Sequence, residues 1–315
     1  MRYWLSIAGI VCVLCSPLAF GGSVVLDDVP AYLWYGGCGP TAGGMVLGYW
    51  ENHGYRNMIT AGDGSANWAT NADGIRQTIA SPEYFRDYYN AQPDLPSPHA
   101  DNCLADFMGA SRGSLVAGGV YDTKVASGLV NFAKGQGYAA ASGSKSSYSP
   151  ILWDKITGEI NAGRPVVLLV DSTGDHVGDH FITAIGYDNT ASLRFAAYDT
   201  YDLTLHWYNY GSTAMASYGV ESAMWFNPGP LPGDCNGDGV VNFSDYLVLE
   251  ASFGQSGKGI KGDCNADGVV DFGDYLTLEA NFGGSTPAPE PCTATLLLAG
   301  AGVLLRRRSG GHRGH

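Results

Sequence analysis

Apolar positions between Pro40 and Trp50 recur at helical spacing, with Ala42, Met45, Val46, Tyr49 and Trp50 on one face. Pro40 suits a first helical turn, where no N–H partner is lost. Two further helices are expected over 124–134 and 150–161, the second with Leu152, Ile156 and Ile160 on one side. From Val166 the pattern changes: 166–170 is a continuous apolar run, and 180–187, 193–199, 204–208 and 223–226 read as strands. Helices followed by an antiparallel sheet predict an α+β domain over 24–226. Within it, 62–111 is polar and aromatic with little periodicity.

A Pro/Gly-rich linker, 227–232, leads into two copies of one acidic motif over 233–284. Oxygen-bearing side chains stand at positions 1, 3, 5, 9 and 12, with glycine at 6. That is the ligand rhythm of an EF-hand-like calcium loop. The first loop offers Asp234, Asn236, Asp238, Asn242 and Asp245, and the second offers Asp263, Asn265, Asp267, Asp271 and Asp274. The carbonyls of Val240 and Val269 would complete the two shells, for two calcium ions. A helical pattern follows each loop, as Phe243, Leu247, Ala251 and again as Phe272, Leu276, Ala280. Tyr246, Leu249, Phe253 and Tyr275, Leu278, Phe282 make a second pair of stripes. Neither helix can bury a face alone, so all these stripes are expected to form a shared core.

Composition changes the picture mainly by exclusion. The 315-residue chain has 45 glycines, only 15% charged residues and a net charge of -13. Nucleic acid and anionic membrane surfaces want the opposite sign, so neither is an expected partner. Arg2 and the apolar run from Trp4 to Phe20 look like a secretory signal over 1–21. If it is removed, Cys12 and Cys15 go with it, and five cysteines remain: Cys38, Cys103, Cys235, Cys264 and Cys292. Cys235 and Cys264 hold equivalent loop positions and could pair, as could Cys38 and Cys103.

The candidate chemistry starts at Gly36-Gly37-Cys38-Gly39-Pro40-Thr41. A cysteine at a helix N-terminus sees free N–H groups and the helix dipole, which lower a thiol's pKa. A nucleophile also needs a base and a group to orient that base. His180 opens one expected strand and Asp199 ends the next, so neighbouring strands could hold imidazole beside carboxylate. His176 with Asp175 or Asp179 raises a competing zinc reading.

These islands, with Val29-Pro30, Tyr49-Trp50, His180-Phe181 and Gly186-Tyr187-Asp188, resemble papain-like cysteine peptidases. The likeness is to the bacterial group related to bacteriocin-processing, double-glycine peptidases. It implies Cys38 as nucleophile, His180 as general base and acid, and Asp199 as orienter. The family's oxyanion-binding glutamine, a few residues before the cysteine, is replaced by Trp34 and Tyr35. The paired loops resemble a type I dockerin, which implies a cohesin-like partner. Pro289-Glu290-Pro291, the apolar run from Ala294 and Arg306–Arg308 resemble a PEP-CTERM sorting signal over 285–315. That implies transient holding at the inner membrane.

Together these features predict an exported cell-surface or matrix thiol hydrolase acting on peptide bonds. It would consist of a papain-like domain and a small all-α calcium module. The alternatives are an inactive peptidase-like docking protein and a dockerin-borne component of a polysaccharide-degrading system.

Overall fold

The computed structural model describes residues 22–59, 72–90, 99–257, 260–265 and 267–285. The signal-like run at 1–21 and the Pro-Glu-Pro tail from 286 lie outside them.

The sheet is antiparallel and seven-stranded: β1 (Ser23–Val25), β2 (Ser142–Ser147), β3 (Val166–Asp171), β4 (His180–Asp188), β5 (Arg194–Tyr198), β6 (His206–Asn209) and β7 (Gly219–Asn227). Its order is β2-β7-β3-β4-β5-β6, with β1 added beside the end of β4. Every residue of β3, and all of β4 but Asp188, is buried, so both faces of the sheet centre are covered. The register puts Val170 opposite His180 and Thr183 opposite Tyr198.

Among the described residues six helices accompany the sheet: α1 (Cys38–Asn52), α2 (Ala72–Ile79), α3 (Pro82–Tyr84), α4 (Leu104–Phe107), α5 (Asp122–Gly135) and α6 (Leu152–Asn161). A π-helical turn follows α3 at Phe85–Tyr89. All but three residues of α1 are buried, and it packs on β4, where the Thr183 hydroxyl donates to the Ala42 carbonyl at 2.9 Å. The long periodic elements thus fall where expected. β2 does not follow from periodicity, because its sequence Ser-Gly-Ser-Lys-Ser-Ser carries no apolar alternation. It is an edge strand, where polar residues discourage pairing with other chains.

The repeat module contributes α7 (Phe243–Ser252) and α8 (Phe272–Asn281), each opened by a capping box, Asn242/Asp245 and Asp271/Asp274. Cys235 and Cys264 form a disulfide. Around it the copies exchange hydrogen bonds, with Gly233 N–H on the Cys264 carbonyl and Gly262 N–H on the Cys235 carbonyl, both at 3.1 Å. The expected shared core is only partly formed. Leu249, Leu278, Val241 and Val270 are buried, but Phe243 and Phe272 are 63% and 61% exposed, with Leu247 and Leu276 also outside. The disulfide and the buried Asp245 and Asp274 occupy the centre of this small unit, leaving no interior for a second stripe. The module touches the segment after α1, where Arg56 Nη1 donates to the Ala280 carbonyl at 2.6 Å.

Candidate functional site

Cys38 is the first residue of α1 and is half-buried with a free thiol. Two glycines make that position possible. Gly36 and Gly37 have φ of 67° and 148°, and a Cβ on Gly37 would overlap the Gly118 carbonyl. The turn is pinned from both sides. The buried Thr41 hydroxyl donates to the Gly37 carbonyl at 2.7 Å, and the Tyr84 hydroxyl donates to the Gly36 carbonyl at 2.9 Å.

The sulfur lies against the N–H groups of Phe181, Gly39 and Cys38 itself. Contact with Phe181 sets it beside the start of β4, which carries His180. The expected fall in thiol pKa does not follow. Burial is the largest influence and raises the Cys38 pKa, helped by the charge of Asp179; the three N–H groups pull it down by less. His180 is pushed the other way: burial lowers its pKa, against the Asp199 carbonyl and the charges of Asp199 and Asp179. Both shifts favour a neutral thiol beside a neutral imidazole.

His180 is buried and reaches Asp199, but not as expected. Its Nε2 lies 2.6 Å from the Asp199 main-chain carbonyl, and a carbonyl only accepts, so Nε2 carries the proton. Nδ1 of the neutral ring then keeps the lone pair. The Asp199 carboxylate is engaged elsewhere: Oδ2 accepts the Tyr208 hydroxyl at 2.8 Å and Oδ1 accepts Tyr201 N–H at 3.0 Å. The Tyr201 ring stacks on the imidazole, with centroids 4.5 Å apart and planes 8° apart. Tyr201 and Tyr208 had no sequence signal beyond their closeness to Asp199.

Trp34 and Tyr35 do not replace the missing glutamine through their main chain. Trp34 N–H is taken by the Thr200 carbonyl at 2.8 Å, and Tyr35 N–H by the Thr41 hydroxyl at 3.0 Å. The donors left near the sulfur are the N–H groups of Phe181, Cys38 and Gly39. Further along the first turn Pro40 has no N–H, and Thr41 N–H is taken by the Gly37 carbonyl at 3.0 Å. The zinc reading fails: His176 donates through Nδ1 to the Thr213 carbonyl and does not converge with His180. Cys103 is free and buried, so it does not pair with Cys38. Burial pushes its thiol pKa up to about 12.

Within each loop the carboxylates accept main-chain N–H groups. Asp234 Oδ1 and Oδ2 accept Gly237 and Gly239 N–H, both at 2.8 Å, while Asp263 Oδ2 accepts Gly268 N–H at 3.0 Å. Gly239 and Gly268 supply the left-handed turn at position 6, with φ of 85° and 90°. Asp245 and Asp274 at position 12 are fully buried and accept loop N–H groups, including Asn236 at 3.1 Å and Cys264 at 2.7 Å. Asn242 and Asp271 accept Ser244 and Gly273 N–H. No Lys or Arg pairs with these carboxylates among the described residues. Burial raises the pKa of Asp234, with a smaller push from the charge of Asp245, against the Gly239 and Gly237 N–H groups that lower it.

A half-buried cysteine opening a central helix, against a strand that begins with a buried histidine, defines a cysteine-peptidase-like domain. The chain belongs to the Peptidase_C39 like family, whose model matches residues 26–224. Among solved structures it is similar to the active wild-type interpain A cysteine protease of Prevotella intermedia. The identity is 16%, over 61% of this chain and 82% of that one, with a TM-score of 0.33. No curated protein matches the chain.

Proposed function

We propose that the first domain is a thiol hydrolase that cleaves peptide bonds through Cys38. The observation that carries this is the meeting of the Cys38 sulfur with the His180–Phe181 start of β4, in a chain of this family. His180 accepts the thiol proton at Nδ1 while Nε2–H stays on the Asp199 carbonyl. Sulfur attacks the peptide carbonyl, and the N–H groups of Cys38 and Gly39 at the start of α1 serve the developing oxyanion. The imidazolium returns its proton to the departing amine, leaving a thioester on Cys38. Water, deprotonated by His180, then releases the acid. Because both pKa shifts disfavour a resting ion pair, proton transfer accompanies attack.

Cys38→Ala should lower peptide hydrolysis at least about ten-thousand-fold. Iodoacetamide should alkylate Cys38 and spare buried Cys103. Unchanged hydrolysis in Cys38→Ala would sink the proposal. A second reading, an inactive peptidase-like binding domain, draws on the absent glutamine and the committed N–H groups of Trp34 and Tyr35. It would be favoured if Cys38 is alkylated but no peptide is cleaved.

The repeat module we read as a calcium-binding dockerin. The all-oxygen donor set and the buried Asp245 and Asp274, with no Lys or Arg paired to the loops among the described residues, support two calcium ions. Asp234, Asn236, Asp238, Val240, Asn242 and Asp245 would hold one, and Asp263, Asn265, Asp267, Val269, Asp271 and Asp274 the other. Exposed Phe243, Leu247, Phe272 and Leu276 suit a docking partner such as a cohesin-like module. Export, with sorting to the cell surface or matrix, remains part of the proposal on sequence grounds.

A further inference from the structure

His180 is oriented by a main-chain oxygen although a carboxylate belongs to the same residue. Three observations account for that. Tyr208 on β6 places its hydroxyl 2.8 Å from Asp199 Oδ2, and its ring is fixed by stacking on Tyr218, with centroids 4.2 Å and planes 16° apart. Tyr201 N–H closes on Oδ1 at 3.0 Å. Between them Thr200 is β-branched yet has φ of 70°, a left-handed conformation rarely adopted by such residues, and its carbonyl is held by Trp34 N–H at 2.8 Å. The turn is therefore fixed by neighbours on three segments rather than by its own preference.

We propose that Tyr208 is a positioning residue, whose hydroxyl keeps the Asp199 carboxylate engaged so that the Asp199 carbonyl, not its side chain, orients His180. This rests on the hydrolase reading above and specifies how its base is held. The chemical difference matters. A carboxylate facing the ring would stabilise imidazolium strongly, whereas a carbonyl accepts one N–H and keeps the ring a neutral base. The charged and titratable groups around the ring are Asp199 and Asp179, with Tyr201 stacked on it, and Cys38 lies against the next residue, Phe181. Around the carboxylate stand Tyr208, Tyr218 and His206, whose Nε2 is 3.7 Å from Oδ2.

The test follows the titration of His180 by NMR in the full, histidine-labelled chain, with the signal assigned through His180→Gln. Tyr208→Phe frees Oδ2 to turn toward the ring, so His180 should titrate about one pH unit higher. The acid limb of Cys38 alkylation should move up with it. Asp199→Asn removes the charge but keeps the carbonyl, so His180 should fall by less than about half a unit. The double variant should titrate like Asp199→Asn. An unmoved His180 in Tyr208→Phe would make Tyr208 merely structural and overturn the proposal. So would a fall of more than about one unit in Asp199→Asn, which decides the matter even if Tyr208→Phe does not fold. The titration needs no turnover. Absence of peptide cleavage by the unaltered chain therefore counts against the hydrolase reading alone.

Discussion

The two sites of this chain are assembled in opposite ways. The acidic loops draw their side chains from twelve consecutive residues, and most of their hydrogen bonds span five residues or fewer, as from Asp234 to Gly237 and Gly239. The cysteine site joins Cys38 to the His180–Phe181 step, 180 − 38 = 142 residues away, and then to Asp199 and Tyr208. A local site is organised by turn chemistry that sequence displays. A dispersed site is organised by sheet register and burial, which sequence displays only in part. The same contrast predicts what holds each part together: a cross-link and a proposed ion in the module, and apolar packing under α1 and β4 in the domain.

The sharpest way to break that comparison is to remove the cross-link. The Cys235–Cys264 bridge closes 29 residues of chain in a unit with a thin apolar centre. In the chain-entropy picture such a loop contributes about 3–4 kcal/mol. Replacing both cysteines with serine should lower or abolish the module's own thermal transition while leaving that of the first domain in place. A module that melts unchanged would show that its packing suffices, and the contrast would fall.

Calcium should act next most strongly. An ion at one hundred times its dissociation constant adds about 2.7 kcal/mol, and each kcal/mol moves the melting of a small domain by about 4–8 °C. A chelator should therefore lower the module's transition by about 10 °C or more. The rate of Cys38 alkylation should not change, because its surroundings contain none of the loop residues. Calorimetry of the full chain with and without chelator measures the first effect, and mass-spectrometric labelling the second. An unmoved transition would sink the calcium reading. Slower labelling under chelation would tie the two regions together.

What sequence displayed follows the same division. The helix opened by Cys38, the buried run at Val166 and the strand at His180 were readable because apolar periodicity there is unbroken. The choice between carbonyl and carboxylate at Asp199 was not, since it depends on Tyr208, which reaches Asp199 only through the pairing of β5 with β6. Nor was the sign of the Cys38 shift: the helix terminus is visible in sequence, whereas the burial that outweighs it comes from the packed domain. The Phe243 stripe had the right period, but period does not say whether an apolar face meets its own chain or the outside.

The smallest expected effect belongs to a histidine that the sequence offered no reason to single out, and it contrasts with His180 inside the same domain. His99 Nδ1 lies 2.7 Å from Asp87 Oδ2, and its Nε2 lies 2.9 Å from Asp106 Oδ2. Two carboxylates at both nitrogens require both to be N–H donors, which is the imidazolium form. Burial pulls the His99 pKa down, but hydrogen bonds and charge from Asp106 and Asp87 more than reverse it, and the net direction is up. A pKa raised on folding gives stability that is complete below about pH 6.5 and is lost as pH climbs through the higher folded value. His180 runs oppositely: its lowered pKa makes the fold lose stability as pH falls below about 6.5. Losing one donor to a buried carboxylate costs about 1 kcal/mol or somewhat more. Urea unfolding of the first domain should therefore show about that much less stability at pH 9 than at pH 7. His99→Gln should flatten this alkaline decline and leave the acid-side loss from His180 intact. Equal declines in both chains would show that the bridge does not hold its proton, and that His99 and His180 differ in burial but not in charge.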